Sequence, residues 1–165
     1  MVRFTITIGS LDLRYLQNVL NEGDLKLISD KLKSDNWGFG YTSTDNKKPI
    51  WNYNHDYSRT IAELVASKLK GYELVTWHIN GQTLGQHGAW HTDQAFKEFS
   101  CTHAFIFFFQ EWNYEWGGRL HIKIGNETLI VTPEKNTGIL FDANNKHYAE
   151  APTEPYLFRM SIGLK

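Results

Sequence analysis

From Tyr72 onward, short runs rich in Val, Ile, Thr and Phe alternate with turns rich in Gly and Asn. This texture constrains the fold more than any other feature, because such runs bounded by such turns read as β-strands. Strands are expected at residues 73–79, 86–90, 102–110, 119–124, 127–131, 138–141, 147–150 and 156–163. Turns are expected at Asn80-Gly81, Gly117-Gly118, Gly125-Asn126 and Asn144-Asn145. The segments 119–124 and 127–131 form the clearest hairpin. Eight such segments suit two packed antiparallel sheets, a jelly roll or double-stranded β-helix.

The chain before Tyr72 reads differently. Arg3 to Ile8 alternates as a half-buried strand does. Ser10 is a candidate cap for a helix that buries Leu13, Leu16 and Leu20 and stops at Gly23. A second short helix carries Leu25, Ile28 and Leu32 on one face. Residues 36–54 read as a long loop or irregular hairpin. Residues 58–70 read as a helix with Ile61, Val65 and Leu69 inward and Gly71 at its end. No linker separates the two parts. The expectation is one domain, mainly β, with a helical N-terminal part (1–71) packed on a jelly-roll core (72–165).

Composition removes several function classes. With 41% hydrophobic residues in 165, burial can offset chain entropy without staples. Cys101 is the one cysteine, so no intrachain disulfide forms, which suits a reducing cytoplasm. The N-terminus has no long apolar stretch of the signal-peptide kind. No apolar run approaches the roughly 20 residues of a membrane helix. Net charge is -1 with no basic block, so nucleic acid is not the expected partner.

His91-Thr92-Asp93 is the candidate centre of chemistry. In an extended segment, residues two apart point the same way, so His91 and Asp93 can face one ion. The polar stretch after Asp93 fits the mouth of a strand. A third ligand must come from elsewhere, and His147 opens a later strand. Two His and one carboxylate with open positions favour non-haem Fe(II) and oxygen chemistry. An isolated H-x-D is more often a solvated turn, and seven His make chance pairs easy, so the order of elements carries the case.

That order resembles the Fe(II)- and 2-oxoglutarate-dependent dioxygenases, particularly small prolyl-4-hydroxylase-like members, over about Leu74 to Lys165. The resemblance lies in His91 and Asp93 after a core strand, and in Gly138 to Asp142 leading through a polar turn to His147. It extends to Arg159 and Ser161 on the last strand, Glu115-Trp116-Gly117-Gly118-Arg119-Leu120, and Pro152. It implies Fe(II) held by His91, Asp93 and His147, and 2-oxoglutarate anchored through Arg159 with help from Ser161, while His78 is either a further 2-oxoglutarate contact or a core histidine. Ascorbate is the accessory reductant set beside these. The implied reaction consumes O2, hydroxylates a C–H bond of a peptide or small molecule, and releases succinate and CO2.

The chain departs from that pattern in places. The expected Y-x-x-G reads His78-Ile79-Asn80-Gly81, and a strand Tyr is replaced by Phe107 or Phe108. The basic residue is Arg where collagen-type enzymes carry Lys. These changes loosen the link to proline as substrate. Competing readings are a silent cupin-like metal- or sugar-binding module and an oxidative nucleic-acid demethylase.

His55, His87, His103 and His121 read as structural or surface residues, and Trp112, Tyr114 and Trp116 as packing beside a Gly-Gly turn. Two segments could border the site. One is 36–54, whose Trp37, Tyr41, Trp51 and Tyr53 either close over substrate as a lid or pack as a small second core. The other is 94–100, with Phe96 and Phe99.

Overall fold

Period-2 alternation governs most of the chain, including stretches where a helix was expected. The computed structural model describes residues 2–5, 13–41, 49–93, 100–154 and 156–165. In chain order they form β1 (Val2–Thr5), β2 (Arg14–Gln17), α1 (Glu22–Leu32), β3 (Trp37–Tyr41), β4 (Ile50–Tyr53) and α2 (His55–Ala66). There follow β5 (Leu74–Gln82), β6 (His103–Phe108), a 3-10 turn (Tyr114–Trp116), β7 (Leu120–Ile124), β8 (Glu127–Val131), β9 (Thr137–Asp142), β10 (His147–Ala149) and β11 (Leu157–Leu164).

The strands make two sheets. The larger runs β1-β2-β9-β6-β11-β5-β4-β3 and the smaller β10-β7-β8. Their pairings are antiparallel. One face of the large sheet presents Ile79, Phe105, Phe107, Met160 and Ile162 to Leu25, Ile28 and Leu32 of α1 and to Ile61 and Val65 of α2. The opposite, inner face presents Ala104, Ile106, Phe108, Ile139 and Phe141 to Leu120, Ile122 and Ile124 of the small sheet. Phe105, Phe107, Phe108 and Phe141 are fully buried, each stabilising the fold by roughly 1.5–3 kcal/mol. The chain is thus mainly β with two helices on one face of the large sheet.

Four expectations need correction. The helix after Ser10 is absent where the chain is described, since Arg14–Gln17 pairs with β9 as a strand. Leu13 and Leu16 are three apart, so a strand sends them to opposite faces; Leu13 joins the inner core and Leu16 the helix-side core. Asn18, at φ 52°, ends the strand, and Asn136 bridges the N–H and carbonyl of Leu20 at 2.9 and 2.8 Å. Ser10 itself lies outside the described residues.

The N-terminal part is therefore not only helical; it supplies β1 to β4 of the large sheet. Residues 37–41 and 50–53 pair as an irregular hairpin, one of the two forms expected for that segment, with β3 at the sheet edge and β4 between β3 and β5. Trp37 stacks on Phe158 with centroids 4.5 Å apart, and Tyr53 is buried. Residues 42–48 of that segment, and 94–99, lie outside the described residues.

Asn80-Gly81 is not a turn, because β5 runs on to Gln82. A Cβ on Gly81 would sit 3.1–3.3 Å from Trp51, Trp37 and Phe158, so glycine serves close packing there. Residues 86–90 form no strand; the Gly88 N–H donates to the Ala149 carbonyl at 2.8 Å, and the first β-bridge joins His91 to His147.

The remaining elements shift by a few residues. α2 starts at His55, capped by Asn54, whose side chain accepts the Asp56 N–H at 3.0 Å. No helix among the described residues is long and apolar enough to cross a membrane.

Candidate metal centre

The smaller sheet and the segment before Asp93 meet through backbone. His91 and His147 face each other in an antiparallel bridge, with N–H to carbonyl distances of 3.0 and 2.8 Å in the two directions. The Asp93 N–H donates to the Ala143 carbonyl at 3.2 Å. Three backbone bonds thus fix where the side chains start.

Each imidazole is then oriented by its own Nδ1. That of His91 lies 2.9 Å from the Ala89 carbonyl, and that of His147 lies 3.1 Å from the Asn145 carbonyl. A carbonyl can only accept, so in the neutral form of each ring Nδ1 carries the proton and Nε2 is the atom with the lone pair. Those Nε2 atoms stand 3.6 and 3.7 Å from Asp93 Oδ1. One ligand atom from each of the three residues lies within 4.8 Å of the others. These gaps exceed hydrogen-bond length and match the spacing of ligands around one ion.

His147 is almost fully buried, and burial holds its imidazole below the ordinary value of 6.5. Asp93 opposes that shift, His91 adds to it and the Asn145 carbonyl opposes it. A neutral imidazole is what a metal requires. The edge of the His147 ring meets Phe141 with centroids 5.0 Å apart, which locks its rotamer.

Arg159 lies on the inner face of β11, 3% exposed. Its Nη2 donates to the Gly118 carbonyl at 3.2 Å and the Glu150 carbonyl at 3.5 Å. Its Nε and Nη1 are buried without a hydrogen-bond partner. Burial lowers the guanidinium to about 9, with Glu150 opposing, so it stays charged at neutral pH. An orphaned buried cation is costly, and its open donors suit an anion. The donor set and this orphaned cation together fit a divalent metal with an anionic co-substrate.

Register places the other candidates. On β11, Ser161 follows Arg159 by two and shares its face, opposite His78 of β5. His78 is held below 6.5 mainly by burial, with His55 adding to the shift and Asp93 opposing it. The structure therefore gathers His91, Asp93 and His147 at one point and sets Arg159, Ser161 and His78 on neighbouring strands of one inner face.

Sequence reading missed Asn80 and Gln82. Asn80 pairs in register with Arg159 and accepts from Asn52 Nδ2 at 3.1 Å. Gln82 is buried with its Oε1 unpartnered. The signal was present: Thr76, His78, Asn80 and Gln82 alternate with apolar Val75, Trp77 and Ile79. Reading Asn80-Gly81 as a turn cut that alternation short. The remaining His residues have structural surroundings. His55 stacks on Trp77 at 4.3 Å, the His87 ring accepts the Ala151 N–H at 3.2 Å, His103 meets Tyr72 edge to face and His121 stacks on Tyr148 at 4.5 Å. Trp112 packs edge-on against Trp116 at 5.3 Å.

No protein-family model and no curated protein matches this chain. Solved structures do. A 2OG-Fe(II) oxygenase family oxidoreductase from Burkholderia pseudomallei is 12% identical, with TM-score 0.74 over 93% of this chain and 84% of that one. A Trichoplax adhaerens prolyl hydroxylase, solved with a hypoxia inducible factor peptide fragment, is 14% identical, with TM-score 0.69 over 92% and 82%. A Pseudomonas putida prolyl-4-hydroxylase is 11% identical, with TM-score 0.66 over 94% and 93%. The fold of this chain is the fold of these oxygenases.

Proposed function

We propose that this chain is a non-haem Fe(II)- and 2-oxoglutarate-dependent oxygenase of the prolyl-hydroxylase-like kind. One observation carries the reading. A buried Arg159 with two open donors lies on the sheet face that also bears His78 and Ser161, beside a converging His91, Asp93 and His147. A silent metal-binding module has no use for a buried cation with two open donors.

His91 and His147 would hold iron through Nε2, and Asp93 through a carboxylate oxygen. Bound iron with 2-oxoglutarate and O2 supplies the oxidising power to hydroxylate a C–H bond, releasing succinate and CO2. The protein holds, orients and keeps dry. Arg159 takes the far carboxylate of 2-oxoglutarate through charge-assisted hydrogen bonds, and Ser161 and His78 line the same pocket. Apolar Ile106 and Phe108 beside them exclude water, which strengthens each polar contact. A peptide substrate is supported by the prolyl hydroxylases among the structures sharing this fold.

The test is turnover. Protein reconstituted with Fe(II), ascorbate and 2-oxoglutarate should form succinate, and the His147→Ala and Arg159→Gln variants should not at the same co-substrate concentration. Absence of both succinate formation and 2-oxoglutarate binding in the unaltered protein would overturn the reading.

A further inference from the structure

A guanidinium is a rigid fork, so fixing one of its nitrogens fixes the direction of the others. In Arg159 the fixed nitrogen is Nη2, held by the carbonyls of Gly118 and Glu150. Those two carbonyls come from segments locked together. The Gly118 N–H donates to the Ala151 carbonyl at 3.3 Å, and the Glu150 N–H donates to the Arg119 carbonyl at 2.8 Å.

The glycines are what turn the backbone. Gly117 and Gly118 have φ of 65° and 69°, a region that L side chains rarely adopt. The two carbonyls are thereby aimed at different targets. That of Gly117 accepts from Trp112 Nε1 at 2.9 Å, and that of Gly118 accepts from Arg159. A Cβ on Gly118 would also stand 2.8 Å from Leu157 Cδ2 and 3.3 Å from Trp112 Cζ2.

We propose that the Gly117-Gly118 turn is a positioning element for the co-substrate. The Gly118 carbonyl, paired with that of Glu150, sets the direction in which Arg159 presents Nε and Nη1. Gly118 touches neither metal nor ligand and acts through Arg159. The proposal builds on the 2-oxoglutarate reading of Arg159 above. It predicts that dicarboxylate binding depends on backbone geometry even when the charge of Arg159 is intact.

The test compares Gly118→Ala, Leu157→Ala and the double variant with the unaltered protein. Calorimetry with manganese(II) in the metal site gives dissociation constants for 2-oxoglutarate and for the metal. Gly118→Ala should weaken 2-oxoglutarate binding about tenfold, as expected for misdirected charge-assisted hydrogen bonds. Metal affinity should stay within about twofold, since no first ligand moves. In turnover the KM for 2-oxoglutarate should rise while kcat at saturation is retained.

Leu157→Ala alone should bind normally. The double variant should stay weak, because removing Leu157 Cδ2 relieves the clash but not the strained φ. Should Gly118→Ala not fold, Trp112→Phe frees the Gly117 carbonyl and should weaken 2-oxoglutarate by about threefold. Unaltered affinity in Gly118→Ala, or in Trp112→Phe where that variant stands in for it, overturns the proposal. Recovery in the double variant, or a parallel loss of metal affinity, overturns it too, since either would mean packing rather than direction. Failure of the unaltered protein to bind 2-oxoglutarate removes the proposed function itself.

Discussion

His91 and His147 are hydrogen-bonded to each other through their backbones in both directions, at 3.0 and 2.8 Å, and their rings lie 4.3 Å apart. Two candidate ligands from distant parts of the chain are thus brought together by the backbone of the fold itself. Removing a ligand side chain leaves that bridge in place. His91→Ala and Asp93→Ala should therefore lose metal affinity by at least about a hundredfold, more than the loss typical of outer-shell changes. Equilibrium dialysis measures the affinity, and an unchanged circular dichroism spectrum shows the fold is kept. Metal retained by either variant would place the ion elsewhere.

How much of this was legible follows from what each element depends on. The hairpin of β7 and β8 was readable because its turn and its alternation are local. The triad was readable because H-x-D is a local pattern and His147 follows a strand with a polar turn. β2 was misread because Leu13, Leu16 and Leu20 satisfy a helical spacing, while pairing with β9, over a hundred residues later, decides otherwise. Asn80 was lost because Asn-Gly is a strong turn signal, and only Trp37, Trp51 and Phe158 explain a glycine in mid-strand. The grip on Arg159 was invisible, since it depends on two carbonyls whose directions no side chain encodes.

The burial of Arg159 implies a trade between stability and function. Its open donors cost free energy in the ligand-free protein. Arg159→Met keeps much of the volume and removes the charge. It should raise the stability of the ligand-free protein by about 1 kcal/mol, while 2-oxoglutarate affinity falls about thirtyfold or more. Urea denaturation and calorimetry report the two quantities separately. A variant that loses both stability and affinity would show that the two carbonyl bonds outweigh the desolvation of the cation.

Acid should destabilise the metal-free protein. Burial holds His78 and His121 below the ordinary value of 6.5. For His121, Glu150 opposes and Arg119 assists. Both rings are thus kept neutral in the fold, and the unfolded chain binds more protons below 6.5. Their contribution is fully present above 6.5 and is lost as pH falls through the lowered values. The thermal midpoint should drop between about pH 7.5 and about pH 5.5. His121→Phe, which preserves the stacking on Tyr148, should make that drop shallower. An equal slope in the variant would mean that folding leaves the proton affinity of His121 unchanged.

Gly138 is a packing constraint on the large sheet. A Cβ there would lie 2.2 Å from Phe105 Cζ and 2.5 Å from Phe105 Cε2. Phe105 is fully buried between β9 and α1, so its ring has little room to turn away. Gly138→Ala should cost about 1–3 kcal/mol through overpacking. Chemical denaturation measures it, and a loss below about half a kcal/mol would show that the ring shifts freely.

Trp37 of β3 and Tyr53 of β4 are anchored to their surroundings, and this predicts how the segment responds to ligand. β4 pairs with β5 through Trp51 and Asn52, opposite Gly81 and Asn80. The Tyr53 hydroxyl donates to the Lys31 carbonyl at 2.9 Å, and the Trp37 Nε1 donates to the Leu32 carbonyl at 2.9 Å. These bonds tie the hairpin to the end of α1, away from any hinge. A lid has to open, and opening here would break both anchors and unstack Trp37 from Phe158. The amides of Trp37–Tyr41 and Ile50–Tyr53 should therefore exchange slowly, and equally so with and without metal and 2-oxoglutarate. Hydrogen exchange read by mass spectrometry decides the matter. Protection at 50–53 that appears only on ligand binding would restore the lid and make Trp51 a substrate contact.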